Sequence, residues 1–155
     1  MTDVKLTEIT SKSLRDVLKL EVGKDQDGLV ASNAISIAQA YFEKAAWFRA
    51  IEAEGAFVGF VMLFDPSLSE EKMTEKEREE MYLWRFMIDA RFQKKGYGAA
   101  ALDRVCEFSR TRPGIKRLLA SFVEKETGPE GFYLKYGFEK TGNKPDGETE
   151  IIMDL

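Results

Sequence analysis

Gln93-Lys94-Lys95-Gly96-Tyr97-Gly98 is the stretch that decides how this chain is interpreted. It follows an apolar run at 81–88 and precedes a helix-like segment at 99–110, which predicts a strand, a short basic turn and a helix. The first turn of a helix carries unpaired backbone N–H groups that bind anions, and glycines let a phosphate approach the backbone closely. Lys94 and Lys95 add positive charge at the same point. We therefore predict an anion site at this turn.

Length and composition predict one globular domain spanning residues 1–155. The chain has 44% hydrophobic and 32% charged residues, which is ordinary for such a domain. No apolar run approaches the ~18 residues of a membrane helix, and the N-terminus lacks the pattern of a secretory signal. Cys106 is the single cysteine, so no intrachain disulfide can form, which suits a cytoplasmic location. It falls in a helical apolar pattern and is interpreted as a buried thiol.

The chain contains no histidine, which excludes histidine-based triads and a histidine general base. With one cysteine and no histidine, we expect no metal site. The net charge of -4 disfavours a nucleic-acid partner, which would need a basic face. An acidic chain with a local basic turn is compatible with an anionic cofactor and a cationic substrate on two surfaces, or simply with the solubility that negative charge confers.

The pattern of apolar and polar residues predicts the element order β-α-α-β-β-β-α-β-α-β-β. This is an α/β (α+β) fold with a mixed, mostly antiparallel sheet flanked by helices. The second helix is expected to start at Ser32 or Asn33, with Ile37, Ala40, Tyr41 and Ala45 on one face. A charge run at 67–80 is interpreted as a solvated, partly helical connector.

A second segment, Gly131-Phe132-Tyr133-Leu134-Lys135-Tyr136-Gly137-Phe138, follows the glycine turn by about 35 residues. Together the two segments resemble the GCN5-related N-acetyltransferase (GNAT) superfamily, whose element order also matches across nearly the whole chain. The segments Leu83-Trp84-Arg85-Phe86-Met87-Ile88-Asp89 and 92–98 look like those of bacterial diamine and polyamine (spermine/spermidine) acetyltransferases. So do Val30-Ala31-Ser32-Asn33 and Ala38-x-Ala40-Tyr41. The resemblance implies acetyl-CoA as cosubstrate and a small cationic amine, such as a polyamine, as acceptor.

The resemblance also implies which residues hold the cosubstrate. Its pyrophosphate would lie on the backbone N–H groups of the turn, with lysine side chains steering the phosphates, and its pantetheine arm would pair with the end of the fourth strand. Lys135 and Thr127 are further candidates for cofactor contact. The implied cofactor residues are Phe86, Met87, Ile88, Gln93, Lys94, Lys95, Gly96, Tyr97, Gly98, Ala99, Thr127 and Lys135.

Tyr133 matches the tyrosine that, in many family members, gives a proton to the departing thiolate. The alternative is a tyrosine that only packs on its helix. An alkylammonium has a pKa near ~10 and must lose a proton before attack. The base would be a carboxylate, acting directly or through water, and the sequence leaves four candidates open: Glu52, Glu54, Asp89 and Glu124.

Glu126 departs from the family pattern, because an asparagine that contacts the cofactor often stands there. A carboxylate cannot donate as an amide does, so Glu126 is expected to face the substrate amine or to be replaced in its role by Thr127. The acceptor candidates are Asp25 and Asp27, by charge, and Trp84, by cation–π contact. Loop solubility for the aspartates and core packing for the tryptophan are the competing interpretations.

The resemblance implies direct transfer in a ternary complex, since Cys106 lies in mid-helix and away from the turn. Three other acceptors fit the same motifs: aminoglycosides, amino acids and protein amines. A CoA-binding regulatory module without catalysis is a different class, against which Tyr133 and the complete glycine turn argue. Dimers are common among such proteins, and the final strands could exchange edges between two copies.

Overall fold

The computed structural model describes residues 2–26 and 28–155. Seven strands are present, namely β1 Val4–Thr7, β2 Ala46–Ala53, β3 Ala56–Phe64, β4 Glu80–Ile88, β5 Arg117–Phe122, β6 Glu139–Lys140 and β7 Thr149–Asp154. Five α-helices accompany them, namely α1 Leu14–Leu18, α2 Asn33–Tyr41, α3 Glu75–Arg78, α4 Tyr97–Arg110 and α5 Glu130–Tyr136. None of the helices within these described ranges is long and apolar enough to cross a membrane.

The strands form a single mixed sheet in the order β1-β2-β3-β4-β5-β7-β6. Only the β4–β5 pair is parallel, and every other neighbouring pair is antiparallel. The predicted fold class is therefore confirmed. The structure adds one short helix to the predicted order, α3, which lies in the charge run before β4. A capping box starts it, because Thr74 accepts from the Glu77 amide while Glu77 accepts from the Thr74 amide.

The core has one layer on each face of the sheet. On one face, α4 and α5 bury residues that include Ala101, Leu102, Val105 and Tyr133. On the opposite face, α1 and α2 pack Val17, Ile37 and Ala40 against β2, β3 and part of β4. The sheet therefore separates two apolar layers.

The second helix differs from its prediction at its C-terminal end. It ends at Tyr41, and Phe42 follows as its C-cap. Tyr41 and Phe42 are both more than four-fifths exposed, whereas Ala45 is fully buried just before β2. The prediction that Tyr41 and Ala45 share the buried face was wrong. The helix ends at Tyr41, so Ala45 is not placed one helical turn after Tyr41 on the same face.

Candidate active site

The sheet opens between β4 and β5. Their parallel pairing runs from Glu80 opposite Arg117 to Leu83 opposite Ala120 and then stops, while β4 continues to Ile88. On its other side β4 stays paired with β3 up to Ile88. Beyond Leu83, the edge of β4 that faces β5 therefore carries backbone groups without a strand partner, so an extended molecule can pair with them.

A β-bulge lies where the opening begins. Met62 pairs with Arg85 and Leu63 pairs with Leu83, so Trp84 is the extra residue of β4. Leu83 packs with the α4 layer, and Phe86, three residues later, packs there again. The bulge consequently turns both Trp84 and Arg85 toward the α2 side, where the Arg85 guanidinium lies 5.6 Å from the Trp84 ring.

A cavity of about 1120 Å³ follows this opening. One end lies at the N-terminus of α4, and the walls come from β4, β5, α5, the segment after α1 and the β6–β7 connection. Twelve sequence-predicted residues line the cavity, which are Trp84, Phe86, Met87, Ile88, Gln93, Lys94, Gly96, Tyr97, Gly98, Ala99, Tyr133 and Lys135.

The turn before α4 presents free backbone donors to this cavity. Gly96 is the N-cap residue in a left-handed conformation (φ 84°), a backbone that glycine adopts without strain, and it has no side chain to cap the helix. The first hydrogen bond within α4 runs from the Ala100 amide to the Gly96 carbonyl, at 3.2 Å. The amides of Tyr97, Gly98 and Ala99 thus precede the helical ladder and remain available to an anion.

Two side chains fasten this turn to its surroundings. The side-chain nitrogen Nε2 of Gln93 donates to the Ile88 carbonyl and to the Gln26 side-chain oxygen, both at 2.8 Å. The Tyr97 hydroxyl donates to Glu54 in the β2–β3 hairpin at 2.6 Å, and this hydrogen bond raises the pKa of Tyr97. The turn is therefore held at both ends, which keeps its amides aimed in one direction.

Tyr133 is buried beside the opening and is only 7% exposed. Its ring packs against Phe122, Phe132 and Phe138. Burial, and next the proximity of Tyr82, raises the pKa of the Tyr133 hydroxyl well above its usual value, and no hydrogen bond contributes to the shift. Tyr133 therefore keeps its proton at any ordinary pH and can donate it.

The four carboxylates considered as bases do not line the cavity. Glu52 accepts from Thr7 on the neighbouring strand, and Glu54 is the partner of Tyr97. Glu124 accepts from Thr149 and Lys144, and these contacts lower its pKa. Each of these three is engaged elsewhere in the sheet or its turns.

Asp89, the fourth candidate, is a buried anchor at the end of β4. It accepts from the backbone amides of Glu21 and Arg91 and from the Arg91 side chain. Burial raises its pKa, but these hydrogen bonds outweigh burial, so the pKa of Asp89 lies below its usual value. Its contact with Glu21 ties the segment after α1 to β4.

Four more predicted residues lie outside the cavity lining, and one lies outside the described residues. Thr127 donates to the Asp25 carbonyl at 2.7 Å, so the two meet where the segment after α1 crosses to the β5–α5 loop. Lys95 and Glu126 are exposed. Asp27 falls in the gap between the described ranges.

The structure brings into the cavity several polar residues that the sequence reasoning missed. Tyr82 and Ser121 share a hydrogen bond of 2.5 Å, and Ser121 donates to Glu148 at 3.0 Å. Arg85 donates to Gln39 of α2 at 2.9 Å, and burial lowers its pKa. Side chains alternate along β5, so Ser121 lies on the other face of the strand from the buried Ala120 and Phe122. Only the pairing of β5 with β7 brings Glu148 close to Ser121.

Comparison with known proteins shows the family. The model for the acetyltransferase (GNAT) family matches residues 16–138. The chain therefore belongs to the acetyltransferase (GNAT) family, and it is an N-acetyltransferase. The family resemblance read from the glycine turn and the Tyr133 segment is thereby confirmed.

Individual relatives cover nearly the whole chain. A protein of Bacillus subtilis (strain 168) named spermine/spermidine N(1)-acetyltransferase is 24% identical over 157 aligned positions, with 98% of this chain and 99% of its own length covered. Aminoglycoside acetyltransferase AAC(6')-Ib in complex with coenzyme A has a TM-score of 0.75 at 14% identity, covering 99% of this chain and 95% of its own. A Bacillus subtilis acetyltransferase in complex with CoA has a TM-score of 0.64 at 16% identity, covering 100% and 99%.

Proposed function

We propose that this N-acetyltransferase transfers the acetyl group of acetyl-CoA to a primary amine of a small cationic acceptor, with a polyamine such as spermidine or spermine as the leading candidate. Transfer is direct, within a ternary complex. The observation that carries the proposal is one continuous cavity that joins the free amides of α4, the opening between β4 and β5, and carboxylates at the β6–β7 connection.

The cofactor half of the cavity fits CoA. The amides at the start of α4 and Lys94 suit a pyrophosphate, and Lys135 adds a second cation to the lining. The unpaired edge of β4 at 86–88 suits the amides of a pantetheine arm, which would pair there as a short strand. Two of the structures most similar in fold contain CoA, which supports the same cosubstrate.

The chemistry at the opening falls to Tyr133. A neutral amine that attacks the thioester carbonyl expels a thiolate, which needs a proton. Tyr133 is a buried residue whose hydroxyl stays protonated and makes no hydrogen bond that contributes to its pKa, so it can supply that proton. Its apolar neighbours exclude water from the same point, which strengthens the interaction with a developing negative charge.

Among the described residues, the carboxylates that line the cavity are Asp146 and Glu148, and both belong to its acceptor half. Carboxylates attract ammonium groups, and the Trp84 ring adds a face for cation–π contact. These groups replace Asp25 as the side chains placed to hold a cationic acceptor, since Asp25 does not line the cavity. The name of the 24% identical relative supports a polyamine in particular.

We further propose that residues 1–155 work as a single catalytic domain in the cytoplasm, and that a homodimer could form through the final strands. In the described part of the chain, no cluster of three or more side chains could hold a metal ion, and the proposed reaction uses none. The two-residue strand β6 forms the sheet edge beyond β7, so edge exchange would start there.

The experiment is a thiol-release assay with acetyl-CoA and a panel of acceptors, which includes spermidine, spermine, kanamycin, free amino acids and a peptide N-terminus. We expect the highest kcat/KM with a polyamine and no release without an amine. Faster turnover with kanamycin or an amino acid would refute the polyamine acceptor while leaving acetyl transfer intact. Tight CoA binding with no turnover on any amine would instead favour a regulatory module.

A further inference from the structure

Three polar side chains form an unbroken line of hydrogen bonds along the acceptor wall. The Tyr82 hydroxyl lies 2.5 Å from Ser121 Oγ, and Ser121 Oγ donates to Glu148 Oε1 at 3.0 Å. All three residues line the cavity, and they come from three different parts of the fold, β4, β5 and the β6–β7 connection. Because Ser121 donates to the carboxylate, Tyr82 must donate to Ser121, so the line has one direction.

This line begins at the opening in the sheet. Tyr82 is paired opposite Leu119, one position before the last β4–β5 pair, and Ser121 is the first residue of β5 beyond that pairing. Tyr82 is also near enough to Tyr133 to raise the pKa of that hydroxyl. The thiolate donor and this line therefore flank the same gap. Glu148, at the far end, is half-exposed and can exchange protons with water.

The proposed reaction needs such a group. An alkylammonium with a pKa of about 10.4 is neutral in roughly one molecule in 2,500 at pH 7. The four carboxylates suggested by the sequence do not line the cavity. Among the described charged residues that do, only Asp146 and Glu148 are carboxylates, and of these two Glu148 is hydrogen-bonded into the sheet opening.

We infer that Tyr82, Ser121 and Glu148 form the path that removes the proton from the acceptor ammonium, an inference that rests on the proposed acetyl transfer. The ammonium gives a proton to the Tyr82 oxygen, Tyr82 passes its own proton to Ser121 Oγ, and Ser121 passes one to Glu148, which releases it to water. The neutral nitrogen bonds to the thioester carbonyl carbon, and the C–S bond breaks. Tyr133 donates its proton to the thiolate and regains one by accepting the second proton of the nitrogen, so each turnover releases one proton, through Glu148.

The charges around this path suit a relay rather than a phenolate base. Burial raises the pKa of Tyr82, the Ser121 hydrogen bond opposes this, and the negative charges of Glu148 and Glu150 add to the increase. Tyr82 therefore stays protonated and passes protons on. The other charged or titratable groups that face the path are Arg85 of β4, Tyr133 of α5 and Asp146 of the β6–β7 connection. In this path Tyr82 would contact the reacting nitrogen, and Ser121 and Glu148 would receive the proton of that nitrogen through Tyr82.

The test is the pH dependence of kcat/KM between pH 6 and 10, with spermidine as the acceptor and acetyl-CoA as the donor. Glu148→Gln keeps an oxygen that accepts from Ser121 but loses the proton acceptor. Ser121→Ala breaks the path, and Ser121→Thr restores its hydroxyl. Glu139→Gln on β6 is the control, because it removes one exposed carboxylate that does not line the cavity.

At pH 7 we expect Glu148→Gln and Ser121→Ala to lose about 10²–10⁴-fold in kcat/KM, the usual contribution of a positioned base. The loss should shrink about tenfold per pH unit toward pH 10, since the free amine then becomes abundant. Ser121→Thr should recover most of the activity, and Glu139→Gln should match the wild type.

A loss that is constant across pH, or no loss at all, would overturn the proton path. Circular dichroism shows whether a variant with a constant loss of kcat/KM is misfolded. If it is, the proton path is upheld only when Ser121→Thr has the pH profile of the wild type, and any other profile for Ser121→Thr refutes it. A wild-type protein that acetylates no amine fails differently, because it refutes the proposed function itself.

Discussion

Tyr133→Phe separates the chemistry of the site from its packing. The substitution removes one hydroxyl and keeps the ring, whose centroid lies 6.0 Å from that of Phe122 and 5.4 Å from that of Phe138. A positioned general acid contributes about 10²–10⁴-fold in rate. This corresponds to about 2.7–5.5 kcal/mol of barrier, since each tenfold change equals about 1.36 kcal/mol.

The same change should leave the folded state nearly untouched. The Tyr133 side chain is buried and lines the cavity, and no hydrogen bond contributes to its raised pKa. Because its hydroxyl makes no hydrogen bond within the described part of the protein, its removal should shift the free energy of unfolding by no more than about 1 kcal/mol. We therefore expect kcat to fall while stability and acetyl-CoA affinity hold.

The assay combines thiol release at saturating spermidine with calorimetric binding of CoA and with urea unfolding. Tyr41→Phe is the matched control, because Tyr41 is 85% exposed and does not line the cavity. A Tyr133→Phe variant with wild-type kcat would refute the proton-donor role. A variant that loses CoA affinity in proportion to kcat would mean that Tyr133 shapes the cavity instead.

Two further predictions concern the turn and the anchor at the end of β4. Gly96→Val should weaken CoA binding at least tenfold, because its side chain would enter the anion site. Gly114→Val is the control, since Gly114 has a similar left-handed φ of 76° and an added Cβ there would meet no atom within 4 Å. Equal losses of CoA affinity in the two variants would mean that backbone strain alone causes the effect. Asp89→Asn should lower the free energy of unfolding at pH 7 by about 1–3 kcal/mol. Folding lowers the pKa of Asp89, so the stabilisation by its carboxylate is present above pH ~3.9 and is lost as the pH falls through the pKa of the folded state. The free energies of unfolding of wild type and variant, measured by urea titration, should therefore converge near pH ~2.

The cofactor half of the site could be predicted because its information is local. Strand, turn and helix follow each other within about thirty residues, and Gly96 carries the conformation that the turn requires. The same holds for Tyr133, which is placed by its own short helix and by aromatic neighbours close in sequence. Apolar periodicity and turn chemistry are enough for such segments.

The acceptor half could not be predicted, because its residues meet only through strand register. Glu148 reaches Ser121 because β7 inserts between β5 and β6, and Tyr82 reaches Ser121 through the single parallel pair of the sheet. Neither pairing can be recognised from the local pattern of apolar and polar residues. The carboxylates chosen from the sequence were candidates only because of their charge. In the structure, Glu52 and Asp89 instead form hydrogen bonds that hold neighbouring segments together.

The bulge at Trp84 has a consequence for how this site can change through evolution. Side chains of a regular strand alternate between faces, but the bulge puts both Trp84 and Arg85 on the α2 side, so deleting residue 84 would leave every later residue of β4 on its present face. Phe86 and Ile88 would stay in the α4 layer and Met87 on the opposite face, whereas a deletion at Phe86 would exchange the faces of Met87 and Ile88. A single-codon deletion at the bulge would thus remove only a residue of the acceptor wall, whereas the same deletion further along β4 would act like several simultaneous core substitutions. The bulge is therefore a position at which β4 can change its length, and the acceptor wall with it, without repacking the core.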